Sequence, residues 1–256
     1  MAKVFLSAGH GGSDPGAVGN GLKEKDLNLW IMSAAAAFLE SAGVTVFCSR
    51  TADENDSVGE EVREANASNA EIAISFHNNA GGGDGSETWY YTGSSEGQLM
   101  AKLMEEASKA LGQNSRGIKA TTNLYFLSKT KMPAVLVETA FIDNSNDIEI
   151  IDTKEKCHAF GIAYGKAICK YLNVSYNVKE EVDQNYIIKV KCDLNIRADA
   201  GIEYPIVGCI QGEDAKFKYT IVAKKYAKDG GIWGKLKSGA GWINISEKYV
   251  TYFKEG

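Results

Sequence analysis

The chain has three histidines, and two of them stand at the ends of short apolar runs. His10 lies among glycines in "FLSAGHGGSDPG", and His77 follows the run in "AEIAISFHNNAGG". Glu138 ends a third run in "PAVLVETAFIDN", and Glu24 opens a helical pattern soon after His10. Imidazole nitrogens and carboxylate oxygens are donors for zinc, whose catalytic sites use three protein ligands and keep a fourth position open. Two histidines and one glutamate supply such a set. A second glutamate, off the metal, could take a proton from water that the metal activates.

Taken singly, each residue also has a plainer reading. A loop histidine can serve as a hydrogen-bonded structural group. A glutamate suits a helix N-terminus through the helix dipole alone. A carboxylate capping "AVLV" can be half of a buried ion pair with an arginine. The glycines around His10 raise the further option of a phosphate cradle, but the detail excludes it. A dinucleotide fingerprint starting at Gly9 requires glycine where Asp14 stands, and no Gly-Lys-Ser/Thr follows to make a P-loop. His158 falls inside a helical pattern, away from any strand end, and reads as structural.

The elements that would carry these groups alternate. Apolar runs predict strands over 3–8, 44–48, 71–76, 86–91, 124–127 and 134–138, and helical spacing predicts helices over 24–41, 57–68, 97–111 and 154–172. Such alternation argues for an α/β domain with a mainly parallel sheet. In parallel sheets the strand carboxyl ends share one edge, where crevices form, so His10, His77 and Glu138 should converge there. The loop from Ala8 to Lys23 could bring Glu24 to the same edge.

The stretch "NVSYNVKEEVDQ", 173–184, is polar and reads as a linker. Beyond it, 185–256 changes to short alternating strands divided by Gly-rich turns, which suits a small all-β, barrel-like domain. Charge divides the same way. The net of −5 is −7 over 1–175, −2 over 176–185 and +4 over 186–256. The basic excess is too dispersed for a nucleic-acid patch, so no nucleic-acid partner is expected. No apolar run reaches the roughly 18–20 residues needed to cross a bilayer, which excludes membrane insertion. Five cysteines without a CxxC pair argue against a zinc cluster or disulfide framework; Cys48 and Cys169 read as small core residues.

Five segments then carry a resemblance: "SAGHGGSDPGAVG", "EKDLNL", "SRTADE", "VREANASNAEIAISFHNNA" and "MPAVLVETAFIDN". In this order and spacing, over about 2–172, the chain resembles the zinc-dependent N-acetylmuramoyl-L-alanine amidases of the AmiC/CwlV type. The resemblance implies a twisted six-stranded, mostly parallel sheet flanked by helices. It matches His10, Glu24 and His77 to the zinc ligands and Glu138 to the catalytic glutamate. It further implies peptidoglycan as substrate, with Asn79 and Arg116 as candidate substrate contacts. The "ETAF" and "SFHNNA" segments depart from the "ETGF" and "SIHANA" common in the family, beside the site but at no ligand.

The later segments "LNIR", "YPIVG" and "GAGWI" resemble bacterial SH3-type domains that attach wall hydrolases to peptidoglycan. Trp242 reads there as core, while Trp233, Tyr204, Tyr219 and Tyr252 read equally as core or as stacking surface. An amidase with a wall-binding module and no apolar leader in "MAKVFLSAGHGG" resembles a phage or prophage endolysin, made in the host cytoplasm and released through holin lesions. A zinc peptidase of the stem peptide, a mother-cell sporulation amidase and a catalytically dead wall-binding protein are the competing expectations.

Overall fold

Residues 4–8 are all buried and, Ser7 apart, apolar, and a strand buried on both faces needs helices on both sides. The protein meets that need in a computed structural model that describes residues 1–176, 186–212, 217–227, 231–246 and 248–253. The chain forms two compact units, Met1–Tyr176 and Asn177–Gly256.

In chain order the first unit runs β1 (Lys3–Ala8), the short pair β2 (Val18–Gly19) and β3 (Leu22–Lys23), α1 (Glu24–Ser41), β4 (Thr45–Cys48) and α2 (Val58–Ser68). It continues with β5 (Ile72–Asn79), β6 (Ser86–Tyr91), α3 (Ser95–Ala110), β7 (Ser115–Thr121) and α4 (Tyr125–Lys129). β8 (Ala134–Phe141), α5 (Ser145–Ile148) and α6 (Lys154–Tyr171) complete it. Six strands form one sheet in the order β4-β1-β5-β8-β6-β7. Its first four strands are parallel, and β6 enters antiparallel to β8 with β7 parallel to β6.

Two strand expectations are corrected. Residues 124–127 are not a strand: the apolar "LYFL" run opens α4, whose single turn buries the adjacent Phe126 and Leu127 together beside Phe5 and Val62. The sixth strand is instead β7, whose polar "SRGIKAT" has no apolar alternation because it is a half-exposed edge strand paired only with β6. In addition β5 and β8 run past the expected ends, so His77 lies within its strand and not after it, and Glu138 lies inside its strand and not at the last position.

The helix α1 packs along α6 on one face of the sheet, over a core that includes Leu27, Ile31, Leu39, Phe160, Tyr164 and Ile168. Close approach is possible because α6 presents glycine: a Cβ at Gly161 would lie 2.2 Å from the Ile31 carbonyl oxygen and 2.7 Å from the Ala34 Cβ. The stretch from Asn173 begins outside α6, yet Val174 and Tyr176 pack on the same core, and Tyr176 meets Phe38 edge-on at 5.0 Å. From residue 177 the expected linker lies outside the described residues. His158 sits on α6, half-buried, with its imidazole pKa lowered by that burial.

The second unit is all-β and antiparallel: β9 (Tyr186–Val190), β10 (Leu194–Arg197), β11 (Ile206–Ile210), β12 (Tyr219–Tyr226), β13 (Ile232–Leu236), β14 (Trp242–Asn244) and β15 (Val250–Phe253). Their order is β11-β10-β14-β13-β12-β9-β15. Ile188, Val190, Ile221, Leu236 and Ile243 fill its core. Trp233 and Trp242 are both buried, in a cluster with Ala200 and Ala223, so Trp233 is core and not a stacking surface. Tyr204 is exposed. No helix among the described residues is long and apolar enough to cross a membrane.

The α1–α6 contact yields a direct test. Gly161→Ala should destabilise the protein by about 1–3 kcal/mol, because overpacking against a backbone carbonyl outweighs the gain in helix propensity. Thermal unfolding measures this; an unchanged or higher Tm would contradict the packing described.

Candidate metal centre

Loop, helix and strand each deliver one side chain to the carboxyl edge of the parallel strands. His10 follows β1 and holds a left-handed backbone conformation, φ 66°, unusual for a residue with a side chain. Its ring is fixed by Asp14, whose Oδ2 lies 2.8 Å from Nδ1, leaving Nε2 to face Glu24 at 3.2 Å. Carboxylate partners of this kind set the tautomer of metal-ligating histidines. Glu24 is the first residue of α1 and is buried. Its Oε1 faces His77 Nδ1 at 2.9 Å and accepts the Asn78 backbone N–H at 3.1 Å, and its Oε2 accepts that of Ala17 at 2.9 Å.

Neighbouring backbone must leave room for these rings. A Cβ on Gly9 would fall 2.1 Å from the His77 ring, and one on Gly16 would lie 2.6 Å from Glu24 Oε2 and 2.7 Å from the His10 ring. Glycine at both positions is therefore steric clearance for the site, and Gly16 also has φ 64°, a conformation glycine adopts without strain.

A second layer of contacts holds the frame. Asn28, one turn beyond Glu24, donates to Gly9 O at 2.9 Å and accepts from Asn78 at 2.8 Å. Arg50 of the "SRTADE" segment is buried, and it donates to three carbonyls: Ala8 at 2.9 Å, Lys25 at 2.7 Å and Ala52 at 3.1 Å. Lys25 reaches Gly12 O and Asp53, which in turn receives the Gly12 N–H. The glycine loop is thus stapled to both α1 and the segment after β4.

The electrostatics follow from this geometry. Burial opposes charge on Glu24, but hydrogen bonds from His10 and His77 hold its carboxyl far below the usual carboxylate range. The Glu24 hydrogen bond raises His10 to about 9. Burial opposes charge on His77 too, yet Glu24 and Glu138 raise it on balance. Glu138 stands beside His77 in the β5–β8 register, and burial raises it to about 7. Its Oε2 is buried without a hydrogen-bond partner among the described residues, so the alternative of an arginine ion pair is not what occupies it.

His10, Glu24 and His77 offer donor atoms that all lie within 4.8 Å of one another. Two imidazole nitrogens and one carboxylate suit a divalent metal of the zinc type, and a cation there would replace the protons the imidazoles hold. The unpartnered Glu138 oxygen beside the cluster fits the same reading, since an unsatisfied buried carboxylate is costly without a counterpart.

Asn79 and Arg116, expected near a substrate, meet on a residue the sequence did not single out. Glu87 near the start of β6 is buried and directly opposite Glu138 across the antiparallel pair. It accepts from Arg116 Nε at 2.7 Å, Lys119 Nζ, Asn79 Nδ2 at 3.2 Å and Trp89 Nε1 at 3.1 Å. Only the reversed sense of β6 places this end of it at the active edge. Asp14 and Asn28 had a weak signal, each spaced four residues from a candidate ligand.

The first unit has known relatives. The family described as N-acetylmuramoyl-L-alanine amidase (Amidase_3) matches residues 4–170. The N-acetylmuramoyl-L-alanine amidase CwlM of Bacillus licheniformis is 36% identical over 181 residues, covering 69% of this chain and 71% of its own. The endolysin of Bacillus phage SPP1 is 37% identical over 97% of this chain and 97% of its own. Among solved structures, the catalytic domain of the N-acetylmuramoyl-L-alanine amidase CwlV of Bacillus (Paenibacillus) polymyxa var. colistinus has a TM-score of 0.64 at 28% identity, covering 68% of this chain and 100% of its own.

Proton competition at the cluster would set the pH dependence of metal binding there. With His10 at about 9, its proton must leave before its nitrogen can donate. Zinc affinity should therefore rise about tenfold per pH unit from pH 6 to 8, more steeply if His77 also releases a proton. Competition against a chromophoric chelator measures it; affinity flat across that range would contradict the assignment of His10.

Proposed function

The chain belongs to the N-acetylmuramoyl-L-alanine amidase family Amidase_3, and on that premise we propose that it is a zinc-dependent endolysin cutting the amide between N-acetylmuramic acid and L-alanine in bacterial peptidoglycan. The observation that carries this is the His10–Glu24–His77 donor cluster with the unpartnered Glu138 carboxylate beside it.

His10, Glu24 and His77 would hold the zinc. Bound there, zinc supplies Lewis acidity for the carbonyl and lowers the pKa of a water to about 7. Glu138 takes the proton of the attacking water as its oxygen adds to the lactyl carbonyl. The same carboxyl then gives that proton to the amine of L-alanine as the C–N bond breaks. A carboxyl raised to about 7 is suited to both transfers near neutral pH. Asp14 keeps the His10 ring in one orientation, and Asn28 with Arg50 keeps loop, helix and strand in register. Asn79 and Arg116 stand on the Glu87 side, where substrate would extend past Glu138.

In this reading 1–172 is the catalytic domain, to whose core the first residues of the 173–184 linker, through Tyr176, remain packed, and 185–256 is an SH3-type wall-binding domain. The likeness to the SPP1 endolysin supports it, because that alignment takes in nearly the whole of both chains and not the amidase part alone. Tethering by such a domain raises the local concentration of enzyme at the wall. Synthesis in the host cytoplasm and release to the wall at lysis follow from the same endolysin reading.

Digestion of purified cell walls tests the chemistry. The expected products carry new N-terminal L-alanine without new reducing sugar, and chelator abolishes their release. Other new amino termini would indicate a stem-peptide peptidase instead, and wall binding without cleavage a dead binder. Glu138→Gln should keep zinc and lose activity by about a hundred- to ten-thousand-fold; full activity in that variant would refute the role assigned to Glu138.

A further inference from the structure

Glu87 is not needed to hold a metal, yet it is among the most heavily hydrogen-bonded side chains at the active edge. Buried in β6, it has its Oε1 occupied by Asn79 and Trp89 and its Oε2 by Arg116 and Lys119. One carboxylate faces two cations, so the group carries a net positive charge directly beside Glu138. Burial works against charge on Glu87, but the Lys119 ammonium and the Arg116 guanidinium hold its carboxyl below the usual range.

The manner in which Arg116 is held is specific. Nε is committed to Glu87, and the guanidinium carbon lies 4.9 Å from the centre of the Phe141 ring. Phe141 is itself constrained, since Gly83 passes so close that a Cβ there would lie 2.2 Å from its ring. The guanidinium is therefore fixed at one edge and on one face. Its two terminal amino groups donate to no protein acceptor among the described residues, although the side chain is 38% exposed. A planar, pre-oriented fork of this kind matches a carboxylate. Lys119 is tied down beside it, with its ammonium 5.1 Å from the Trp89 ring centre.

This inference rests on the peptidoglycan reading. Around the proposed scissile bond the glycan side offers hydroxyls and acetamides, which are neutral, whereas the stem peptide carries carboxylates. We propose that Glu87 is a positioning residue that presents Arg116 to a carboxylate of the stem peptide, so that the β6–β7 side of the site is the peptide side. Substrate would then lie across the edge in one direction, with the glycan away from Glu87. A chain whose stem carboxylate is masked as carboxamide would be a poorer ligand.

The test separates peptide recognition from catalysis. The probes are L-alanyl-D-glutamate γ-methylamide and the same compound with its α-carboxyl converted to the amide, titrated into the zinc-loaded full chain by NMR or calorimetry. The wild type should bind the carboxylate form about tenfold more tightly than the carboxamide. Arg116→Gln and Glu87→Gln should each bring the two affinities to within about twofold, with Arg116→Lys recovering part of the preference. Unchanged zinc affinity and circular dichroism would exclude general damage. In cleavage of a matched pair of muramoyl peptides, the preference should fall in KM with kcat little changed. Equal binding of the two probes by the wild type, or a preference that survives Arg116→Gln, would overturn the proposal. Because binding is read on peptides that contain no scissile bond, the outcome stands apart from the wall digest, which alone decides whether the protein is an amidase.

Discussion

The site depends on one buried carboxylate held between two imidazoles. Glu24 is taken out of water at the first turn of α1, where both oxygens receive backbone N–H groups and each faces a histidine ring. Removing an anion from water is costly unless it is paired and hydrogen-bonded. That cost is met only if the loop after β1, the start of α1 and the end of β5 are all in place together. The Gly9 and Gly16 positions, the Asp14 contact and the Arg50 carbonyl clamp are each ways of satisfying this one requirement.

The sheet contributes by register. Gly9, His77, Glu138 and Glu87 stand at one level across β1, β5, β8 and β6, so neighbouring strands bring neighbouring functions. Within that row the charge changes character. The β1–β5 side gathers imidazoles around Glu24, the centre holds a carboxyl raised by burial, and the β6–β7 side gathers two cations around Glu87. Polarity across the row is thus a property of strand order, and it gives the proposed substrate a direction to lie in.

Much of this was legible beforehand, for identifiable reasons. His10, His77 and Glu138 were visible because each interrupts or ends an apolar run, where a polar side chain is anomalous. Glu24 was visible because it opens a strong helical pattern, and the observed helix starts there. The α4 turn is not legible because the four consecutive apolar residues "LYFL" fit a buried strand and a single helical turn equally well. β7 was missed because an edge strand buries little and need not alternate. Local pattern leaves Trp233 open because it does not say how many aromatic rings a small antiparallel sheet will enclose; this one encloses both Trp233 and Trp242.

By itself, the sequence determined which chemistry was affordable: two imidazoles and two carboxylates at element ends, glycines beside them, and an α/β order that sends parallel strand ends to one edge. It also determined that a second unit of short strands follows. Tertiary structure supplied the contacts behind the two glutamate roles that the resemblance implies: Glu24 lies between the two imidazoles and Glu138 keeps an unpartnered oxygen, because the loop delivers α1 to that edge. It alone decided that Glu87 belongs to the edge and that Arg116 is held there by it. The reason is the reversed sense of β6, a pairing between strands remote in sequence that no local spacing encodes.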